Sequence, residues 1–89
     1  MQRGFLNVNG SGIFLLGFPL KLSPTEQKLL VAICERDATI EELSMLLCEG
    51  VSRQNVAVHI NSINRKAELI SGRRLVIFTN ECYTLNPYM

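Results

Sequence analysis

The chain has 89 residues, a formal net charge of +1, 47% hydrophobic residues and 19% charged residues. That length gives one small core with little room for a second, and the apolar share excludes disorder. No apolar run approaches the roughly 20 residues needed to span a bilayer. The stretch from Gly12 to Leu22 is apolar but broken by Gly17, Pro19 and Lys21, and neither a basic leader nor a small-residue cleavage site frames it. A chain that opens on Met1 in this way is expected to be cytoplasmic, with no membrane segment.

Charge is distributed more informatively than it sums. Between Val51 and Asn80 stand five basic residues, Arg53, Arg65, Lys66, Arg73 and Arg74, against the single acid Glu68, while the remainder of the chain is net acidic. One face is therefore expected to meet an anion and another is not.

The first 22 residues read as a small antiparallel sheet. Phe5 to Val8 leads into Asn9-Gly10, a strong hairpin signal, and Ile13 to Leu16 follows. Gly17-Phe18-Pro19 supplies a second turn, and Leu20-Lys21-Leu22 alternates as a short strand. Ser23-Pro24-Thr25-Glu26 then starts a helix: Ser23 fits the N-cap, Pro24 the first helical position and Glu26 the far corner of a capping box. Leu29, Leu30, Ile33 and Cys34 form its apolar stripe, and it should end near Arg36-Asp37.

Thr39-Ile40-Glu41-Glu42 repeats the capping pattern for a short second helix with Leu43, Leu46 and Leu47 as its stripe. The adjacent carboxylates Glu41 and Glu42 are accounted for by favourable charge at that helix N-terminus. Gly50 is placed to end the helix. Ser52 caps a third helix running from Arg53 to about Ile70, in which Val56, Ile60, Ile63, Ala67 and Ile70 share one face at about 100° of rotation per residue. Gly72 ends it. Arg74 to Thr79 and Cys82 to Leu85 read as two strands, with Asn80-Glu81 as their turn. The expected core sets Val56, Ile60 and Ile63 against Leu29, Leu30, Ile33, Leu43 and Leu46.

An N-terminal sheet (residues 1–22), three helices (23–72) and a hairpin (73–86) make an α+β winged helix-turn-helix in a single domain. In that plan the third helix enters a major groove and the hairpin touches flanking backbone. Opposite the core stripe of the third helix lie Gln54, Val58, Asn61 and Arg65, with Ala57 and Ser62 at the margins. Gln and Asn pair bidentately with adenine, Arg reads guanine or holds phosphate, and Val packs on a thymine methyl. The expected contacts with double-stranded DNA are these residues together with Arg53, Asn55, Lys66, Arg73, Arg74, Thr79 and Asn80.

Other chemistry finds little support. Cys34, Cys48 and Cys82 are widely spaced, so a zinc site completed by His59 would lack the close ligand pairs such sites use, and reduced thiols in or near the core are expected. His59, beside the core stripe, reads as a packed histidine. There is no nucleophile–base arrangement, and Gly10-Ser11-Gly12 is too short for a phosphate-binding loop. Neither an enzyme nor a cofactor is expected.

Several motifs occur in order. Leu22-Ser23-Pro24-Thr25-Glu26 followed by Leu29-Leu30, then Ile40-Glu41-Glu42-Leu43, then Asn55-Val56-Ala57-Val58-His59-Ile60 with Ile63 and Arg65-Lys66, and finally Cys82-Tyr83-Thr84-Leu85 together resemble the effector domains of OmpR/PhoB-type bacterial transcription regulators, including the ToxR kind. The resemblance runs from about Ile13 to Leu85. It implies a winged helix with an N-terminal sheet, a bacterial origin and binding to promoter DNA. This chain departs from the family at Gln54, Ser62 and Asn64, where arginine is frequent, and at Ala57, where an acid is frequent. The wing tip Thr79-Asn80-Glu81 lacks the usual arginine and glycine, and the turn from Cys48 to Ser52 is short. These departures are expected to weaken the grip on phosphate, on which affinity mainly rests.

The expected function is sequence-specific DNA binding by a transcription regulator, acting as a homodimer or with another regulator. The alternative is a winged helix turned into a protein-interaction module that antagonises or assists a larger DNA-binding partner. It is favoured by the near-neutral charge, the acid at the wing tip and the apolar N-terminal sheet. With no receiver domain in these 89 residues, phosphorylation of an attached receiver is not expected to be the switch.

Overall fold

The computed structural model describes residues 2–47 and 53–87. An antiparallel sheet of four short strands comes first: β1 (Gln2–Arg3), β2 (Leu6–Asn9), β3 (Gly12–Leu15) and β4 (Phe18–Pro19), in that order across the sheet. Three helices follow, α1 (Pro24–Glu35), α2 (Ile40–Leu47) and α3 (Arg53–Ser71), and then the hairpin of β5 (Val76–Thr79) and β6 (Cys82–Leu85). This is the winged-helix plan expected from the sequence.

The N-terminal sheet differs from expectation in its turns. Leu15 pairs with Phe18, so the second turn is Leu16-Gly17 rather than Gly17-Phe18-Pro19. Leu16 (φ 53°) and Gly17 (φ 82°) both occupy the left-handed region, as a two-residue turn matched to strand twist requires. Leu20 to Leu22 is not a strand. Leu20 still donates its N–H to the Ile13 carbonyl at 2.8 Å, but the chain then leaves the sheet to enter the cap of α1. Asn9 pairs with Gly12, which puts the first turn at Gly10-Ser11, one residue beyond the expected place. There Asn9 Oδ1 accepts from the Ser11 N–H at 2.7 Å. The sequence reading also missed β1, which pairs with β2.

The caps follow the sequence closely. Glu26 N–H donates to Ser23 Oγ at 3.2 Å and Ser23 N–H donates to Glu26 Oε1 at 2.8 Å, with Pro24 in the first turn. Thr39 and Glu42 repeat the box on α2, at 3.2 Å and 3.1 Å. The Thr39 N–H and hydroxyl hold the Glu42 carboxyl below the usual carboxylate range. Gly72, at φ 73°, donates to the Glu68 carbonyl at 2.8 Å and closes α3, the left-handed ending that glycine adopts without a Cβ penalty. The expected roles of Gly50 and Ser52, the turn from Cys48 to Ser52 and Cys48 itself lie outside the described residues.

One core joins all the layers. Leu6, Ile13, Leu15 and Leu20 from the sheet side, Leu29, Leu30 and Ile33 of α1, Leu43 and Leu47 of α2, and Val56, Ile60, Ile63 and Ala67 of α3 are buried together with Leu75 and Val76. Leu46 is not among them. It lies about half exposed beside Val31 and Ala32 on the outer side of α1 and α2, because Leu43 and Leu47, four residues apart, already fill the inward stripe of so short a helix. Cys34 is buried in this core and Cys82 is half-buried in β6. Among the described residues no helix is long and apolar enough to cross a membrane.

Candidate nucleic-acid interface

The alternation of core and surface along α3 decides which side chains are presented. Val56, Ile60, Ile63 and Ala67 face inward, and α3 packs on α1, α2, β3 and β5. The opposite side carries Val58, Asn61 and Arg65, all exposed, with Val58 57% accessible. Asn55 is also exposed and Ala57 is half-buried at the margin. Arg53 and Gln54 lie in the first turn of α3, and their side chains are outside the described residues. The same outer side continues to Glu68 and to Leu69, which is 87% exposed.

Two residues expected on the DNA side are half-buried and bonded to Glu26 of α1. Lys66 Nζ lies 2.6 Å from Glu26 Oε1, and the Ser62 hydroxyl hydrogen-bonds the same carboxylate. The physical cause is Glu26. Its side chain is only 3% exposed, and a carboxylate taken out of water needs charge and hydrogen-bond partners. Burial resists its ionisation, but the bonds from Lys66, Ser62 and the Ser23 N–H outweigh it and lower its pKa from 4.5 to about 2. Ser62 and Lys66 therefore fasten α3 to the first turn of α1.

Asn64 is likewise no surface residue. It is buried, with its amide donating to the Val76 carbonyl at 2.9 Å and accepting from the Val76 N–H at 2.8 Å. The sequence reading placed it only as a departure from a frequent arginine. Its polarity on the edge of an apolar stripe was the one signal that could have marked it as a buried tether.

The hairpin is held along β6 and at its base. Ala38, between α1 and α2, exchanges two backbone hydrogen bonds with Tyr83 of β6, at 3.1 Å and 2.7 Å. Asn86 N–H reaches the Leu75 carbonyl at 2.8 Å, and its side chain donates to the Arg74 carbonyl at 2.9 Å. Strand β5 begins at Val76, two residues later than expected, which leaves Arg73 and Arg74 exposed in the connection between α3 and the wing. Arg74 Nε stands 3.9 Å from Glu68, a loose pair. At the tip, Thr79 and Asn80 are exposed. Asn80 (φ 52°) and Glu81 (φ 63°) form a two-residue turn with both residues in the left-handed region. Phe78, 58% exposed, meets the Tyr83 ring edge-on with centroids 4.9 Å apart.

The structure thus brings Val58, Asn61 and Arg65 to one exposed helical face, with Arg73, Arg74, Thr79 and Asn80 on the adjoining connection and wing. Ser62 and Lys66, half-buried at the margin, are bonded to Glu26.

Three helices between an N-terminal antiparallel sheet and a C-terminal hairpin define a winged-helix fold. Among solved structures, the chain is similar to the DNA-binding domain of the response regulator AdeR, determined in complex with an intercistronic region. The TM-score is 0.82 over 96% of each chain, at 16% sequence identity. No protein-family model matches the chain, and no curated protein is significantly similar to it in sequence.

Proposed function

We propose that the chain is a sequence-specific, DNA-binding transcription regulator of bacterial origin, working in the cytoplasm. Helix α3 lies in the major groove and the β5–β6 wing rests on the flanking backbone. The observation that carries this reading is the exposed face of α3, where Val58, Asn61 and Arg65 stand together opposite the core stripe. They offer a methyl contact, an amide and a guanidinium, the groups that distinguish base edges. The similar AdeR domain was crystallised with DNA, which supports the reading at the level of the fold. Gln54 extends the base-reading set by one helical turn. Arg53, Asn55, Arg73, Arg74, Thr79 and Asn80 contact phosphate and sugar, and Ala57 lies at the edge of the groove. Ser62 and Lys66 contribute by fixing α3 to α1. One small module buries limited surface on DNA, so two copies, or this chain with another regulator, occupy the site.

The test is selection from a randomised double-stranded DNA library, followed by gel-shift titration of the enriched sequence and of random DNA at two salt concentrations. An enriched sequence bound more tightly than random DNA, with affinity falling as salt rises, is expected.

A second reading is favoured by the apolar side chains exposed on α3 and on the wing. Leu69 at 87% exposure, Phe78 at 58% and Val58 at 57% are more apolar surface than phosphate contact requires. On this reading the face binds a protein partner that itself holds DNA. Absence of any enriched sequence from a folded chain would select it.

A further inference from the structure

We infer that Asn64 is a positioning residue that clamps the wing to α3, so that the two DNA-contacting elements move as one body; its functional part rests on the DNA-binding reading above.

The inference starts from the hydrogen-bond pattern of the hairpin. Antiparallel strands alternate residues that bond across the ladder with residues whose N–H and C=O point away from it. Asn86 N–H bonds to the Leu75 carbonyl, and Val76 pairs with Leu85 next to it. Val76 therefore turns both of its backbone groups to the outer edge of β5. That edge is covered by α3 rather than by another strand, and Val76 is 1% exposed, so neither group reaches water. Each would be costly to bury unpaired.

Asn64 satisfies both. Its carboxamide presents a donor and an acceptor side by side, as a neighbouring strand would, and both bonds are made to the same residue, at 2.9 Å and 2.8 Å. Two bonds to one residue, through the N–H of one peptide unit and the C=O of the next, fix rotation as well as distance. Asn64 stands between Asn61 and Arg65 on α3, and Val76 opens the strand that ends at Thr79. The clamp thus lies between the proposed base-reading face and the wing tip, and it sets the spacing at which both meet one duplex. Aspartate would lose the donor, and alanine would lose both groups.

Backbone amide exchange followed by NMR on the full chain tests the clamp without DNA. In Asn64→Ala the Val76 amide should exchange at least tenfold faster while Leu30 and Ile33 of α1 keep their protection. Asn64→Asp, which retains the acceptor, should restore part of that protection. On the selected DNA, hydroxyl-radical footprinting of Asn64→Ala should keep protection at the centre of the site and lose it at the flank touched by the wing, a split that general destabilisation would not produce. Should Asn64→Ala fail to fold, the wild-type side-chain amide protons of Asn64 decide the matter: slow exchange supports the clamp and free exchange overturns it. An unchanged Val76 amide in folded Asn64→Ala also overturns it. A clamp confirmed by exchange with an unaltered footprint overturns the positioning role alone. A wild-type chain that selects no DNA overturns the DNA-binding reading and the positioning role with it, while the exchange result still stands.

Discussion

The Lys66 ammonium lies 2.6 Å from Glu26 Oε1, joining the middle of α3 to the first turn of α1 across 40 residues of sequence. Glu26 is thereby shared between two tasks. It closes the capping box of its own helix through the Ser23 N–H, and it anchors the helix that carries the proposed recognition face. The orientation of α3 and the start of α1 therefore depend on one carboxylate.

The first prediction concerns pH. The Glu26 pKa falls from an ordinary 4.5 to about 2 in the folded chain. A folded pKa below the unfolded one gives stability that is fully present above about 4.5 and is lost as pH falls toward 2. A separation of that size corresponds to about 3 kcal/mol. Urea denaturation at pH 7, 4.5, 3 and 2 should show this loss, and Glu26→Gln should flatten it. An equal acid sensitivity in Glu26→Gln would mean that other groups are responsible.

The second concerns the register of α3. Ile60 is 3% exposed and Val58 is 57% exposed. Ile60→Ala should destabilise the fold by about 2–5 kcal/mol, whereas Val58→Ala should change stability by no more than about 0.5 kcal/mol. Chemical denaturation of the two variants side by side checks the assignment, and similar losses would contradict it.

The third separates the basic residues by what they touch. Arg65 and Arg73 are exposed, whereas the Lys66 charge is held by Glu26. Alanine at Arg65 or Arg73 should reduce the dependence of log affinity on log salt by about one phosphate contact each. Lys66→Ala should change that slope less while lowering stability more. Asn61→Ala should weaken binding to the selected sequence by about 1–3 kcal/mol and binding to random DNA much less. Equal losses on both DNAs would give Asn61 a positioning role only.

The fourth concerns the wing tip. Glu81 carries a side chain at φ 63°, a conformation that costs a residue with a Cβ roughly 1–2 kcal/mol. Glu81→Gly should relieve most of this and stabilise the fold by about 0.5–1 kcal/mol after the added chain entropy of glycine. It should also strengthen binding to DNA by removing an acid from the wing. Glu81→Gln should strengthen binding without the gain in stability, and calorimetry with gel-shift titration distinguishes the two variants.

The three helices, the caps of α1 and α2 and the inward faces of α1 and α3 were legible in the sequence, whereas Leu46 of α2 was not. Ser23 with Glu26 and Thr39 with Glu42 announce their caps because capping boxes are made within four residues. The stripe from Val56 to Ala67 sets the face of α3 because helical geometry is local. Asn80-Glu81 was legible as the wing turn for the same reason. The short N-terminal strands were less legible. Leu16 is turned into the left-handed region only because Leu15 and Phe18 pair around it, a tertiary override of local preference.

Which polar residues of α3 are available to a ligand depends on packing between elements remote in sequence. Ser62 and Lys66 look like free surface residues until α1 packs on α3 and brings the buried Glu26 carboxylate to them. Asn64 looks like a lost phosphate contact until the outer edge of β5 presents Val76 to it. In each case the deciding partner is remote in sequence, and the cost of burying an unpaired polar group decides where the side chain goes.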